Sequence, residues 1–130
     1  MAIPYAHTHD INGADAGGLK LSDIRYSATL TSGGGDTTIT VPSSGSLGTL
    51  RSYNTNKWAA KIVTESGTTV WHAMNATAAV PAGATFATVS SELIPPETEV
   101  FREVNAGEVM HFITADATAD VSVTFYALQN

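Results

Sequence analysis

From Arg25 onward, apolar and polar residues alternate in short runs, and each run stops at a cluster of Gly, Pro, Asn or Ser. A period of two turns one face of an extended segment inward and the other outward, whereas a helix repeats every 3.6 residues. Tyr26, Ala28 and Leu30 share one such face, and Ser32-Gly33-Gly34-Gly35-Asp36 ends the run. Thr37 to Val41 forms the next, closed by Pro42 and a Ser- and Gly-rich loop to Gly48. Thr49 to Tyr53 and Lys57 to Thr64 read as strands joined by an Asn54-Thr55-Asn56 turn, with Trp58, Ala60 and Ile62 on one face of the second. Glu65-Ser66-Gly67 is expected to close a hairpin onto Thr68 to Met74, where Val70, His72 and Met74 alternate against Thr69, Trp71 and Ala73.

Two turns in the second half are alike. Val80-Pro81-Ala82-Gly83 precedes an expected strand from Ala84 to Val89, and Val104-Asn105-Ala106-Gly107 precedes one from Glu108 to Thr114. In each, Gly is the member able to take a left-handed backbone. Pro95-Pro96 bars a central strand locally, because proline donates no ladder hydrogen bond, and alternation resumes from Thr98 to Val104. In the last run Val121, Val123 and Phe125 oppose Ser122, Thr124 and Tyr126. Roughly eight strands at spacings near 8–12 residues, with no helical period, predict an all-β chain. A single β-sandwich of jelly-roll type is the expected architecture, ahead of a closed Greek-key barrel.

Residues 1–24 differ from this. His7-Thr8-His9-Asp10, Asn12-Gly13 and Gly17-Gly18 are turn and loop signals, and Leu19, Leu21 and Ile24 offer apolar side chains for docking. The expected division is an extended N-terminal arm over 1–24 and a β-sandwich domain over 25–130. A chain of 130 residues suits one core.

Charge narrows the function. Charged residues make up 14% of the chain, against about 25% in an average domain. Thr, Ser, Ala and Gly replace them, leaving few of the charges that hold monomers apart. With a net charge of −6 and six Lys and Arg in all, no basic stripe can release counterions from DNA or RNA. Neither a disulfide nor a thiolate metal site is available, since there is no cysteine. No basic leader region and no apolar run of membrane length is present. Synthesis in the cytoplasm is therefore expected, with no nucleic-acid and no membrane partner.

The candidates for chemistry each have a plainer explanation. No serine sits in a Gly-x-Ser-x-Gly elbow. His72 and His111 both lie mid-strand, either as a shared catalytic or metal face or, as expected here, as two satisfied histidines at the core edge. Glu97, Glu99 and Glu103 would share a strand face, with the first two about 7 Å apart. That separation suits an inverting glycosidase pair, but nothing nearby would desolvate one of them, so a solvated acidic face is expected. A cupin-type enzyme needs its His-x-His pair on a strand, and the pair here, His7 and His9, lies in the arm. Trp58 and Trp71 could form a sugar platform, yet their alternating surroundings predict core positions. No enzymatic activity is expected.

His7-Thr8-His9-Asp10 followed by Gly17-Gly18-Leu19-Lys20-Leu21 resembles a segment of tailed-phage virion proteins, in which a His-x-His precedes a Gly-containing stretch and an apolar anchor. The run from Val104-Asn105-Ala106-Gly107-Glu108-Val109 to Val121-Ser122-Val123-Thr124-Phe125 is similar to the last strands of phage capsid-decoration and fibre-tip domains. The resemblance implies a virion structural protein on the outer capsid surface, a homotrimer that binds the major capsid protein. Leu19, Leu21 and Ile24 would be its apolar contacts, with Ile3, Pro4 and Tyr5 as a second anchor. It further implies that His7 and His9 of three chains could surround a transition metal at a threefold axis, where imidazole nitrogens suffice without thiols. The alternative it carries is a fibre-tip domain recognising host-surface carbohydrate.

Overall fold

A computed structural model of the chain describes residues 7–9, 15–19, 24–43, 56–86 and 91–128. Within them there is no helix. A short pair, β1 (His7–His9) and β2 (Asp15–Leu19), is followed by eight strands: β3 (Ile24–Thr31), β4 (Thr37–Thr40), β5 (Lys57–Thr64), β6 (Val70–Met74), β7 (Glu92–Ile94), β8 (Val100–Asn105), β9 (Val109–Thr114) and β10 (Thr118–Ala127). These eight form two four-stranded antiparallel sheets, β3-β10-β5-β8 and β4-β9-β6-β7. The architecture is all-β and sandwich-like.

The alternation read in the sequence becomes the core. Trp58, Ala60 and Ile62 from β5 meet Val121, Val123 and Phe125 from β10, while Val70, Ile94, Met110 and Phe112 come from the other sheet into the same cluster. Along β9 burial switches at every residue, so Met110, Phe112 and Thr114 point in. Full burial of each large apolar side chain contributes about 1.5–3 kcal/mol. Trp58 and Tyr26 each stand edge-on to Phe125, with ring centroids 6.2 and 6.0 Å away, the arrangement the ring quadrupoles favour.

Several expectations change. Glu65-Ser66-Gly67 does not close a hairpin, because β5 and β6 belong to different sheets. The turn carries the chain from one layer to the other, and Gly67 provides the positive φ of 72° that this needs. Ala84 to Phe86 form no strand; β7 begins only at Glu92. The small or ring-constrained residues around Pro81 and Gly83 leave the segment nothing to bury in alternation. The strand expected over 49–53 lies outside the described residues, as do 87–89. Finally, the stretch before β3 holds a ladder where only turns were expected: His7 opposes Leu19 and His9 opposes Asp15, with a register shift between them. Ile24 belongs to β3, opposite Phe125, and packs against the core.

Candidate functional site

The two mid-strand histidines do not share a face. In the register of β6 and β9, His72 opposes Phe112 and His111 opposes Ala73. Neighbouring positions on a strand face opposite ways, so His72 enters the core and His111 leaves it. His72 is 3% exposed and stacks on Phe112 at 4.7 Å. Its Nδ1 donates to the His111 carbonyl at 3.0 Å, and its Nε2 is buried without a partner. Loss of hydration lowers its pKa below the ordinary 6.5, against a smaller opposing effect of that hydrogen bond.

On the other side of the sheet, His111 Nδ1 meets Oδ2 of Asp36 at 2.6 Å, and Oδ1 of Asp36 accepts from the Ala78 N–H at 2.9 Å. This carboxylate orients a histidine as it would in a hydrolase. Among the described residues no hydroxyl is hydrogen-bonded to His111, the contact that a nucleophile of such chemistry would make.

The acidic residues are dispersed. Glu97 sits in a turn at φ 56°, outside β8, so the extended spacing to Glu99 does not apply. All three glutamates are exposed. Glu103 pairs with Lys57 at 3.1 Å and Glu99 approaches Lys61 at 3.9 Å. Among the described residues no three His, Cys, Asp or Glu are grouped to hold a metal.

What the surface does present is apolar. The sequence places both tryptophans inside; Trp58 is fully buried, whereas Trp71 sits on the outer face of its sheet. Ladder pairing sets Trp71 between Leu93 and Ile113, and Leu93 is 47% exposed. The segment after β6 folds back beside this row and walls a cleft of about 470 Å³ with Val80, Pro81, Phe86 and Ser91. Its root is fixed twice, by Asp36 on Ala78 and by the Ser91 hydroxyl, which accepts from the Ala79 N–H at 2.9 Å. Among the described residues nothing covers Phe86, whose relative exposure is 108%.

Sequence reasoning missed Phe86, having assigned it to a strand. The available signal was an isolated aromatic in a run of Ala, Gly and Pro with no alternation. Asp36 was also missed, and no local pattern could reveal it, because its partner is 75 positions away. Of the arm candidates, Leu19 ends β2, His7 and His9 lie on β1, and Ile24 lies on β3. Ile3, Pro4, Tyr5 and Leu21 are outside the described residues.

No protein-family model matches the chain, and no curated protein or solved structure matches it either.

Proposed function

We propose that this chain is a virion structural protein that decorates the capsid, binding major capsid subunits through its N-terminal arm and the Trp71 face of a jelly roll. The observation that carries the proposal is Phe86, standing in solvent at the rim of the cleft that Trp71 lines, with Leu93 exposed beside Trp71 on the same sheet face. An aromatic side chain left uncovered next to an apolar groove suits insertion into another protein, where a buried aromatic contributes most of the binding energy. Strand order supports the jelly roll. Counting β3 as the first of eight strands, the sheets run 1-8-3-6 and 2-7-4-5, the order that two nested Greek keys produce, and viral capsid domains are among the proteins built so. Cupins share that plan, but His72, the one histidine inside the sandwich among the described residues, stacks on Phe112 without a second ligand beside it. A decorating protein needs no catalytic group. It needs several weak contacts joined in one particle, and a homotrimer, as the resemblance implies, or any other oligomer supplies them through avidity.

Cosedimentation of the full chain with shells of the major capsid protein tests this. Saturable binding is expected, and Leu19→Asp in the arm should weaken it by about tenfold through loss of an apolar contact. A wild-type chain that stays in the supernatant at tens of micromolar, well above the affinity of a specific interface, refutes the assignment.

A fibre-tip domain binding host-surface carbohydrate is the second reading, favoured by the placement of Trp71 in the wall of a cleft. Among the described residues that line the cleft, Thr85 and Ser91 carry the side-chain hydroxyls, and the Ser91 oxygen already accepts from the Ala79 N–H. Glycan binding lost in Trp71→Ala, together with no capsid binding, would select it.

A further inference from the structure

We propose that β3 is a self-complementary edge through which two copies of this chain join, pairing their β3 strands antiparallel about Ser27 so that the sheet β3-β10-β5-β8 continues across a twofold axis. The inference is independent of what the assembled particle binds.

Among the described residues, four strands end the two sheets, and they are not alike. β4 has four residues and β7 three, too short to template much pairing. β8 carries Arg102 and Glu103, and Glu99 directly precedes it. Short strands and charged side chains are how natural sheets protect their edges. β3 is protected less: its one charged residue, Arg25, lies next to its start, and the rest of the strand is uncharged. It runs eight residues, its ladder with β10 is regular from Ile24 to Thr31, and residues 25–29 are all exposed. No proline or lysine interrupts it.

The side chains then select a register. For the two inner faces to remain on the same side, residues must pair even with even and odd with odd. Pairing about Ser27 sets Arg25 opposite Thr29 of the second copy and Tyr26 opposite its Ala28. Tyr26 is 43% exposed although it lies on the inward-facing row with Val123 and Phe125. Between β3 and β4 the sandwich is open, a gap of about 170 Å³ bordered by Tyr26, Ala28, Ile39 and Phe112. Opposed Cβ atoms stand about 5 Å apart, so each tyrosine ring would cover the small Ala28 of the other copy and close that gap.

Charge agrees with the same register. Thr29 donates to Asp120 at 2.5 Å, and the Glu65 carboxylate accepts from the Asp120 N–H at 3.1 Å. Two carboxylates thus stand at one end of the outer β3 row, while Arg25 stands at the other. Antiparallel pairing about Ser27 brings each Arg25 to the acidic end of its mate. Asp120 is then two strand spacings from Arg25, about 10 Å between Cα atoms, within the reach of the two side chains. A pairing centred on Arg25 instead of Ser27 would draw the two arginines together.

Sedimentation velocity on the full chain across 1–100 micromolar, with far-UV circular dichroism to establish folding, tests the proposal. A dimer is expected, weakening as salt screens the Arg25 contacts. Arg25→Glu and Thr29→Arg should each raise the dissociation constant roughly tenfold or more, since each sets like charges against one another at both junctions. Mixing the two variants should restore dimers, because the carboxylate introduced at position 25 of one then faces the guanidinium introduced at position 29 of the other. That recovery also shows that both variants fold. A wild-type chain that is monomeric or trimeric throughout, an Arg25→Glu dimer of unchanged strength, or no recovery on mixing overturns it.

Discussion

The imidazole of His111 on β9 and the carboxylate of Asp36, just before β4, meet at 2.6 Å across 75 positions of sequence. Because the second oxygen of Asp36 holds the Ala78 N–H, one side chain joins three segments and fixes the root of the cleft wall. Hydrogen bonds to a charged group contribute about 1.5–3 kcal/mol. Asp36→Ala should cost about that much in chemical denaturation, and amide exchange at Ala78 should accelerate far more than exchange in β5. Equal acceleration at both sites would mean that Asp36 acts on global stability alone.

His72 makes the fold sensitive to acid. Its Nδ1 proton is committed to the His111 carbonyl, so protonation would place a new N–H at Nε2, a buried atom with no acceptor. Burial therefore depresses the folded pKa below 6.5. The unfolded chain binds the proton more readily, so stability from this group is complete above about pH 6.5 and falls as pH drops toward the lowered folded value. The slope contributed cannot exceed about 1.4 kcal/mol per pH unit. Denaturation midpoints between pH 7.5 and 5 should decline in the wild type and decline less in His72→Gln. Parallel declines would assign the acid sensitivity to other groups.

Gly107 stands at φ 86° in the turn between β8 and β9 and donates its N–H to the Val41 carbonyl at 3.0 Å. A Cβ there would meet nothing within 4 Å, so only backbone strain opposes a side chain. Gly107→Ala should cost roughly 1–2 kcal/mol, and Gly107→Asn less, since asparagine tolerates the left-handed region better. Thermal unfolding of the pair of variants reads the difference. Equal losses would mean that left-handed strain does not set the cost.

Legibility in the sequence followed the range of the interactions. Alternation is a local property, so the inner faces of β5, β9 and β10 could be read directly, and Trp58, Ile62, Val123 and Phe125 are buried where the pattern places them. Gly83 and Gly107 were recognisable as turn residues, and both have positive φ. Which sheet a strand joins is not local. Nothing in Glu65-Ser66-Gly67 distinguishes a hairpin from a crossing between layers, and the crossing is decided by the partners of β5 and β6 on other strands. Trp71 failed for the same reason: alternation separates two faces without saying which is inner, and Val70 and His72 took the core. The Asp36–His111 contact depends on that topology and could not precede it.

Phe86 separates binding from folding most cleanly. Its side chain is fully exposed, so Phe86→Ala should leave unfolding free energy within about 0.5 kcal/mol of wild type, as substitutions away from packed or paired groups do. If it fills a pocket on a capsid subunit, its truncation removes one of the few contacts that dominate an interface, at a cost of about 2 kcal/mol or more. That loss corresponds to more than a tenfold weaker association. Capsid cosedimentation should therefore fall sharply while the thermal midpoint stays in place. Leu93→Ala, on the same outer face and 47% exposed, should weaken binding less, since half of its surface is already covered in the free domain. Unchanged binding in both variants would move the docking surface off the Trp71 face and leave the N-terminal arm as its remaining carrier.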